Sequence, residues 1–387
     1  MARKVGKKNK VSCDFAMYDY MLLGTGGLGK TTIVNQIGQS LYGETGVLLL
    51  EMGRENGVQH LDAFYEQVDS FDDLEEIIDV LIKERNTTFK DTRIICIDSV
   101  DELVRLAEAK TIEIYNDSVS VEKEVNTINA CWGGFAKGQS FASDMIVNTI
   151  FKLKDVGYSL FFISHVKEKT LVDPITQVEY PQVTCSIAKN YFNSLKDKCH
   201  VVAVGYVERE YESLKSEDRR VKGFDGKTRN ERVEISDGIL DEKRVICFRD
   251  TNYVIDAKSR FANIKEKIDF DSNEFINAIM EAIKYQTSIQ IKREVSDKEL
   301  QEIAEQQYKE QTLKAEEMIK VQVEEEQRVN EAEEREKILN ELMNAYKKLD
   351  KNQKLLIKQF LTKNNAEKLQ LLSLDKLKEL LKNIGLD

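Results

Sequence analysis

Proline is almost missing from this 387-residue chain: there are two, Pro174 and Pro181, both in one short stretch. Helices and strands elsewhere can therefore run without the break that proline imposes. No apolar run is long enough to cross a bilayer and no leader with an apolar centre is evident, which leads us to expect a soluble, cytoplasmic protein without a membrane partner. C-x-x-C spacing is absent. The six cysteines, Cys13, Cys96, Cys131, Cys185, Cys199 and Cys247, are scattered, several inside apolar runs, and read as reduced, buried and structural. Positive charge is in deficit, with 57 Lys and Arg against 68 Asp and Glu and a net charge of −11. That excludes a generally basic surface for nucleic acid, so any such contact must come from a local patch or loop.

What is present begins with enough apolar material, 41% of residues, for at least one sizeable core, and a length that implies two or three domains. The run Tyr18 to Leu23 reads as a buried parallel strand and feeds Gly24-Thr25-Gly26-Gly27-Leu28-Gly29-Lys30-Thr31-Thr32. Glycines at this spacing let successive backbone N–H groups curl round a phosphate, and the helix that follows adds its positive end. In such a P-loop, Lys30 reaches the β- and γ-phosphates of ATP and Thr31 holds Mg²⁺. Ile33, Val34, Ile37 and Leu41 then recur at helical spacing, with Gly43 where a helix stop belongs.

Acids follow at the ends of further apolar runs. Gly46 to Leu50 leads into Glu51-Met52-Gly53-Arg54-Glu55, and either Glu51 or Glu55 is placed to orient or deprotonate an attacking water. Arg93 to Ile97 ends in Asp98, the Walker B pattern, whose carboxylate contacts Mg²⁺ or its water. Phe71 to Ile82 is an amphipathic packing helix. A third apolar strand, Phe161 to Ser164, ends at His165, with Lys167 and Lys169 just beyond. The glycine-rich stretch Ala130 to Gly138 holds the one tryptophan, Trp132, with Phe135 and Lys137. Aromatic faces beside a cation are what unstacked bases and phosphates require, and packing into the core is the other use of those aromatics.

Further on, Ala188 to Leu195 reads as a short helix, Val201 to Val207 as a strand, and Glu208 to Lys243 as a charged excursion with a hairpin tip at Phe224-Asp225-Gly226-Lys227. Val245 to Arg249 and Asn252 to Asp256 resume strand character, and Asp271 or Ser272 caps a helix. We expect a basic tail over 1–13, an ATPase domain over 14–288, a charged helical linker over 289–337 and a small helical bundle over 338–387.

Together these motifs resemble the RecA-type ATPase core, most closely the phage-encoded, AAA-type RecA-like nucleotide-binding proteins of recombination and single-strand annealing. The resemblance spans roughly Asp14 to Phe261 and is strongest over Gly133 to Gly138 and Gly157 to His165. It implies an α/β fold with a mostly parallel sheet, followed here by a long charged helix and a small C-terminal bundle. Lys30 and Thr31 match its Walker A pair and Asp98 its Walker B acid, with ATP and Mg²⁺ as ligands. His165 stands where RecA proteins carry a glutamine that senses the γ-phosphate. Ala130 to Phe141 and Val166 to Cys185 occupy the places of the two DNA-binding loops, and Lys258-Ser259-Arg260 is similar to the pair that reaches a neighbouring subunit's nucleotide. A ParA-type reading fails because its signature lysine would fall at Thr25.

The function this implies is an oligomeric ATPase acting on single-stranded DNA in phage-type recombination or replication, in the host cytoplasm. Two alternatives stand beside it: a nucleotide-switched adaptor whose C-terminal bundle recruits a protein partner, and a motor of the replicative-helicase type.

Overall fold

A computed structural model of the chain describes residues 6, 10–53, 57–172, 179–211, 214–222, 228–236, 239–251, 253–346, 349, 351–364 and 366–384. It divides into two compact units, Met1–Ala315 and Glu316–Asp387.

The first unit alternates strand and helix. In chain order come β1 (Tyr20–Gly24), α1 (Lys30–Tyr42), β2 (Val47–Met52), β3 (Tyr65–Val68), α2 (Phe71–Lys83), β4 (Ile94–Asp98) and α3 (Val100–Asp117). Then follow α4 (Lys137–Ile150), α5 (Lys152–Asp155), β5 (Ser159–Val172), β6 (Glu179–Cys185), α6 (Lys189–Lys196) and β7 (Val201–Tyr211). After β8 (Leu214–Lys222) and β9 (Thr228–Ser236) the chain returns through β10 (Ile239–Cys247), β11 (Lys258–Ser259), β12 (Lys267–Asp269) and α7 (Ser272–Ile291). The central sheet has ten strands in the order β12-β10-β7-β1-β5-β4-β2-β3, with β11 joined to β7 and β6 to β5. From β7 to β3 the pairing is parallel, while β10, β11 and β12 are antiparallel. The fold is thus mixed α/β with a mostly parallel sheet, as expected.

Parallel strands covered on both faces read as continuous apolar runs, and β1, β2 and β4 do so because alternate residues serve opposite layers. Tyr20, Leu22, Leu49, Cys96, Phe161 and Ile163 join one core with Ile33, Val34 and Ile37 of α1 and Phe275, Ile279 and Ile283 of α7. Their neighbours Met21, Leu23, Leu48, Leu50, Ile95 and Phe162 are equally buried. The helices α2 to α6 pack among themselves as a separate layer. Where α1 crosses β2 there is no room for a side chain: a Cβ on Gly38 would lie 2.4 Å from Val47 Cγ1. Ser70 caps α2 by accepting from Asp73 N, and Asp271 caps α7 by accepting from Asn273 N and Glu274 N.

Several expectations shift. β5 does not stop at His165 but continues to Val172, pairing antiparallel with β6, so the described part of Val166 to Cys185 is a two-stranded ribbon rather than a loop. In place of a strand over Asn252 to Asp256 there is a single bridge, Val183 to Val254, and Asn252 lies outside the described residues. The expected hairpin tip, Phe224 to Lys227, also lies outside them, although β8 and β9 pair antiparallel up to Lys222 and Thr228.

The long charged helix is α8 (Asp297–Tyr346), opened by a Ser-x-x-Glu box in which Glu299 N donates to Ser296 Oγ and Ser296 N to Glu299 Oε2. Its first turns belong to the first unit, where Gln307 bonds the Cys13 and Val11 backbone. In the second unit α9 (Lys351–Lys363) and α10 (Leu374–Ile384) complete a small core around Leu342, Ile357, Phe360, Leu377 and Leu380. No helix among the described residues is long and apolar enough to cross a membrane.

Candidate active site

The parallel strands end together. Gly24 of β1 is the register partner of His165 on β5, and Glu51 of β2 is the partner of Asp98 on β4. In an open parallel sheet this carboxyl edge is where ligands bind. A cavity of about 270 Å³ lies there, lined by Gly26, Gly27, Gly29, Lys30, Thr31, Thr32, Glu51, Gly57, His60, Asp98 and His165. Residues from well-separated parts of the sequence therefore meet in one place.

The P-loop backbone explains its glycines. Gly29, which precedes α1, sits at φ 101°, ψ 23°, and Gly27 at φ 72°, the left-handed region that side chains rarely occupy. Behind the loop Leu28 is buried against Gly24 and Gly205, where a Cβ would meet the Leu28 side chain at 2.8 and 2.7 Å. Thr25 contributes its carbonyl: Lys30 Nζ donates to Gly24 O and Thr25 O, each at 2.9 Å. The Lys30 stem is buried, so its ammonium is held at the loop's mouth.

Thr31 Oγ1 donates to Asp98 Oδ2 at 2.6 Å. Burial pushes the Asp98 carboxyl above its ordinary range, opposed by the Thr31 hydrogen bond and the Lys30 charge. Two hard oxygen donors side by side at a helix N-terminus fit Mg²⁺, which takes its remaining ligands from water and nucleotide phosphates. No group of three or more His, Cys, Asp or Glu suited to a metal ion occurs among the described residues, and Mg²⁺ of this kind needs none.

Glu51 is 4% exposed, and its Oε1 accepts from Gly57 N and Val58 N, which fixes the carboxylate against the start of the next segment. The other candidate, Glu55, lies outside the described residues. His165 Nδ1 is 3.5 Å from Asp101 Oδ2, and its backbone N–H donates to the same oxygen at 3.0 Å. Of these groups, His60, Gly57 and Asp101 belong to no motif in the sequence. His60 carries no pattern around it that marks a site.

The chain belongs to the AAA domain family. The match covers residues 16–261, from just before β1 to just after β11, and so includes every group lining the cavity. No curated protein matches the sequence. Membership supports nucleotide binding and ATPase activity for this AAA domain, with Mg²⁺ as the usual companion, and Lys30, Thr31, Asp98 and Glu51 all line the cavity.

The remaining anticipated residues of the AAA domain lie elsewhere. Trp132, at φ 49°, has its ring centroid 5.3 Å from Tyr115 and 5.0 Å from Phe141, a half-buried packing role. Phe135, at φ 54°, is 98% exposed, and Lys137 beside it is exposed as well. Lys167 and Lys169 stand exposed on β5 beyond His165, with Lys167 Nζ donating to Ser186 O at 3.0 Å. Lys258 and Arg260 sit at the opposite end of the sheet, since Lys258 pairs with Val202 near the start of β7. There Lys258 Nζ donates to Lys196 O (2.9 Å) and Arg260 Nη2 to Asp197 O (2.7 Å), closing the C-terminus of α6.

Proposed function

We propose that this AAA domain protein is an oligomeric, RecA-like ATPase that acts on single-stranded DNA in phage-type recombination or replication. The observation that carries the reading is Phe135: a fully solvated aromatic ring on a glycine-bounded loop, with exposed Lys137 two residues on. Base stacking on an exposed ring does not require a basic protein, only a flat apolar face and a nearby cation. The ribbon β5–β6 supplies further cations at Lys167 and Lys169, on the strand that carries His165 in the phosphate cavity.

In the reaction, Lys30 and the P-loop N–H groups balance the charge that develops on the transferred phosphoryl group, and Glu51 orients the attacking water. Thr31 and Asp98 would hold Mg²⁺, which would supply further charge neutralisation. Lys258 and Arg260 sit at the opposite end of the sheet from the cavity, and we assign them, by their likeness to the pair that reaches across in RecA-type proteins, to a neighbouring subunit's nucleotide. Exposed Leu355, Leu356 and Leu371 in the C-terminal unit offer an apolar surface for a protein partner.

ATP turnover measured with and without single-stranded DNA tests the proposal. Stimulation by the single strand supports it. Turnover indifferent to DNA would favour the nucleotide-switched adaptor, and strand unwinding alongside stimulation would favour the helicase-type motor.

A further inference from the structure

Asp101 is the most heavily used carboxylate near the cavity, yet it does not line it. It sits in the first turn of α3, three residues after Asp98 and two after the buried Ser99. Its Oδ2 accepts from Ser164 Oγ (2.7 Å) and His165 N (3.0 Å) and faces His165 Nδ1 at 3.5 Å, while its Oδ1 accepts from Ser186 Oγ. Ser186 N also donates to His165 O at 3.0 Å, and the Ser186 Oγ lies 3.0 Å from the same carbonyl oxygen. One carboxylate thus ties together the end of β4, the middle of β5 and the residue that follows β6. Burial alone would raise its pKa, but the hydrogen bonds from His165, Ser186 and Ser164 outweigh burial and hold it below the usual carboxylate range, so it is charged in this setting.

A structural tie alone could be made by any of these bonds. What distinguishes Asp101 is that its partners include both the imidazole that lines the phosphate cavity and the residue that closes the β5–β6 ribbon. An ionised acceptor on the Nδ1 side keeps the proton there and leaves Nε2 as the imidazole's working atom. If phosphate draws the imidazole toward the cavity, the Nδ1 contact is lost from the same carboxylate that holds Ser164 and the His165 N–H through Oδ2 and Ser186 through Oδ1. We infer that Asp101 is a positioning residue that orients His165 for the nucleotide's terminal phosphate and links that contact to the β5–β6 ribbon. The inference rests on the ATPase reading of the cavity but on neither DNA binding nor oligomer geometry.

The test uses the full chain and two readouts: steady-state ATP turnover, and hydrogen exchange at the amides of Lys167–Leu171, Tyr180 and Gln182–Cys185 with and without a non-hydrolysable ATP analogue. Asp101→Asn should lower kcat by about tenfold or more with KM changed less than about threefold, and should abolish the analogue-dependent change in ribbon exchange. His165→Ala should be slow for the same reason, and the double variant Asp101→Asn/His165→Ala no slower than His165→Ala within about twofold, because the carboxylate acts through the imidazole. Losses that multiply in the double variant would overturn the inference, as would an Asp101→Asn chain whose ribbon still responds to the analogue. Should Asp101→Asn fail to fold, Ser186→Ala removes one hydroxyl and one of the same bonds. It should keep turnover within about threefold while at least halving the ribbon response, and an undiminished response would equally reject the link. A wild-type chain that neither binds the analogue nor turns over ATP points instead to failure of the ATPase reading.

Discussion

The two ends of the same parallel sheet use similar residues to opposite purpose. At the amino end, buried Asp19 accepts from Leu160 N (3.0 Å) and Lys154 Nζ (2.7 Å), and its N–H donates to His200 Nδ1 (3.0 Å). Asp14 pairs with Arg93, whose guanidinium carbon lies 3.3 Å from the Tyr308 ring centroid and 5.0 Å from that of Tyr42. Lys258 and Arg260 are spent on the carbonyls that end α6. At the carboxyl end Lys30, Glu51, Asp98 and His165 also have in-chain partners, but all four converge on a cavity. Charge and burial are alike at both ends. What differs is whether the polar groups point at one another or at a shared space, and the direction of the parallel strands decides that.

The largest expected effect breaks the amino end. Arg93→Ala leaves the largely buried Asp14 without its cation, with the Ala16 N–H and the Tyr42 hydroxyl still donating to it, and removes the cation from two aromatic rings, so unfolding in urea should show a loss of about 3–5 kcal/mol, with ATP turnover per folded molecule nearly unchanged. A fall in turnover matching the fall in stability would show that the two ends are not separable. Lys30→Ala should do the reverse, lowering turnover about 10²–10³-fold while the melting temperature stays near the wild-type value. Wild-type turnover in that variant would remove the P-loop from the chemistry.

Lys258 and Arg260 sharpen the comparison, because a trans role would make them the one part of the amino end that serves a cavity. A Lys30→Ala chain and a Lys258→Ala/Arg260→Ala chain, each inactive alone, should regain some turnover when mixed. Absence of recovery at every ratio would leave them as caps of α6. Next in size is Phe135→Ala, expected to weaken single-stranded DNA binding by about 1–3 kcal/mol, the range for one lost stacking partner, with no change in melting temperature because the ring packs on nothing. Unaltered affinity would reject the stacking role.

The smallest effect concerns pH. Because burial raises the Asp98 carboxyl, its ionisation opposes folding as pH rises through that raised value, whereas below the ordinary aspartate range near about 4 the group is protonated in both states and has no such cost. Asp98→Asn should therefore melt slightly above the wild type at pH 8 without nucleotide, the difference fading in acid, even as turnover falls about 10²-fold. A variant less stable than wild type at pH 8 would mean that the Thr31 bond outweighs the burial.

Much of the carboxyl end could be read from the sequence because local rules govern it: glycine spacing for the P-loop, an acid closing an apolar run for Asp98, a polar residue closing another for His165. The packing of Trp132 between Tyr115 and Phe141 could not, since the partners lie on different helices and the stretch around Trp132 reads equally well as loop or core. β3 is not legible in the sequence because Tyr65 to Val68 is short and half exposed, with little apolar signal. The start of α3 was legible in principle: Val100, Leu103, Val104 and Ala107 keep helical spacing behind Asp101 and Glu102. What no spacing reveals is that Asp101 faces Ser164, His165 and Ser186, because those meet it only through the β4–β5 register and the turn back of β6.

β5 runs unbroken for fourteen residues, from Ser159 to Val172. Its first half is clamped between β1 and β4, and beyond His165 its described partner is β6 alone. Mechanically that is a cantilever with its fulcrum at the imidazole. From His165 to Val172 the strand reaches about 20 Å, so a tilt of about 5° at the fulcrum carries the far end about 2 Å, the diameter of a small atom, with no hinge and no broken ladder. A strand stiff enough to hold its own pairing can transmit a displacement over that distance, and a flexible loop of the same length would dissipate it.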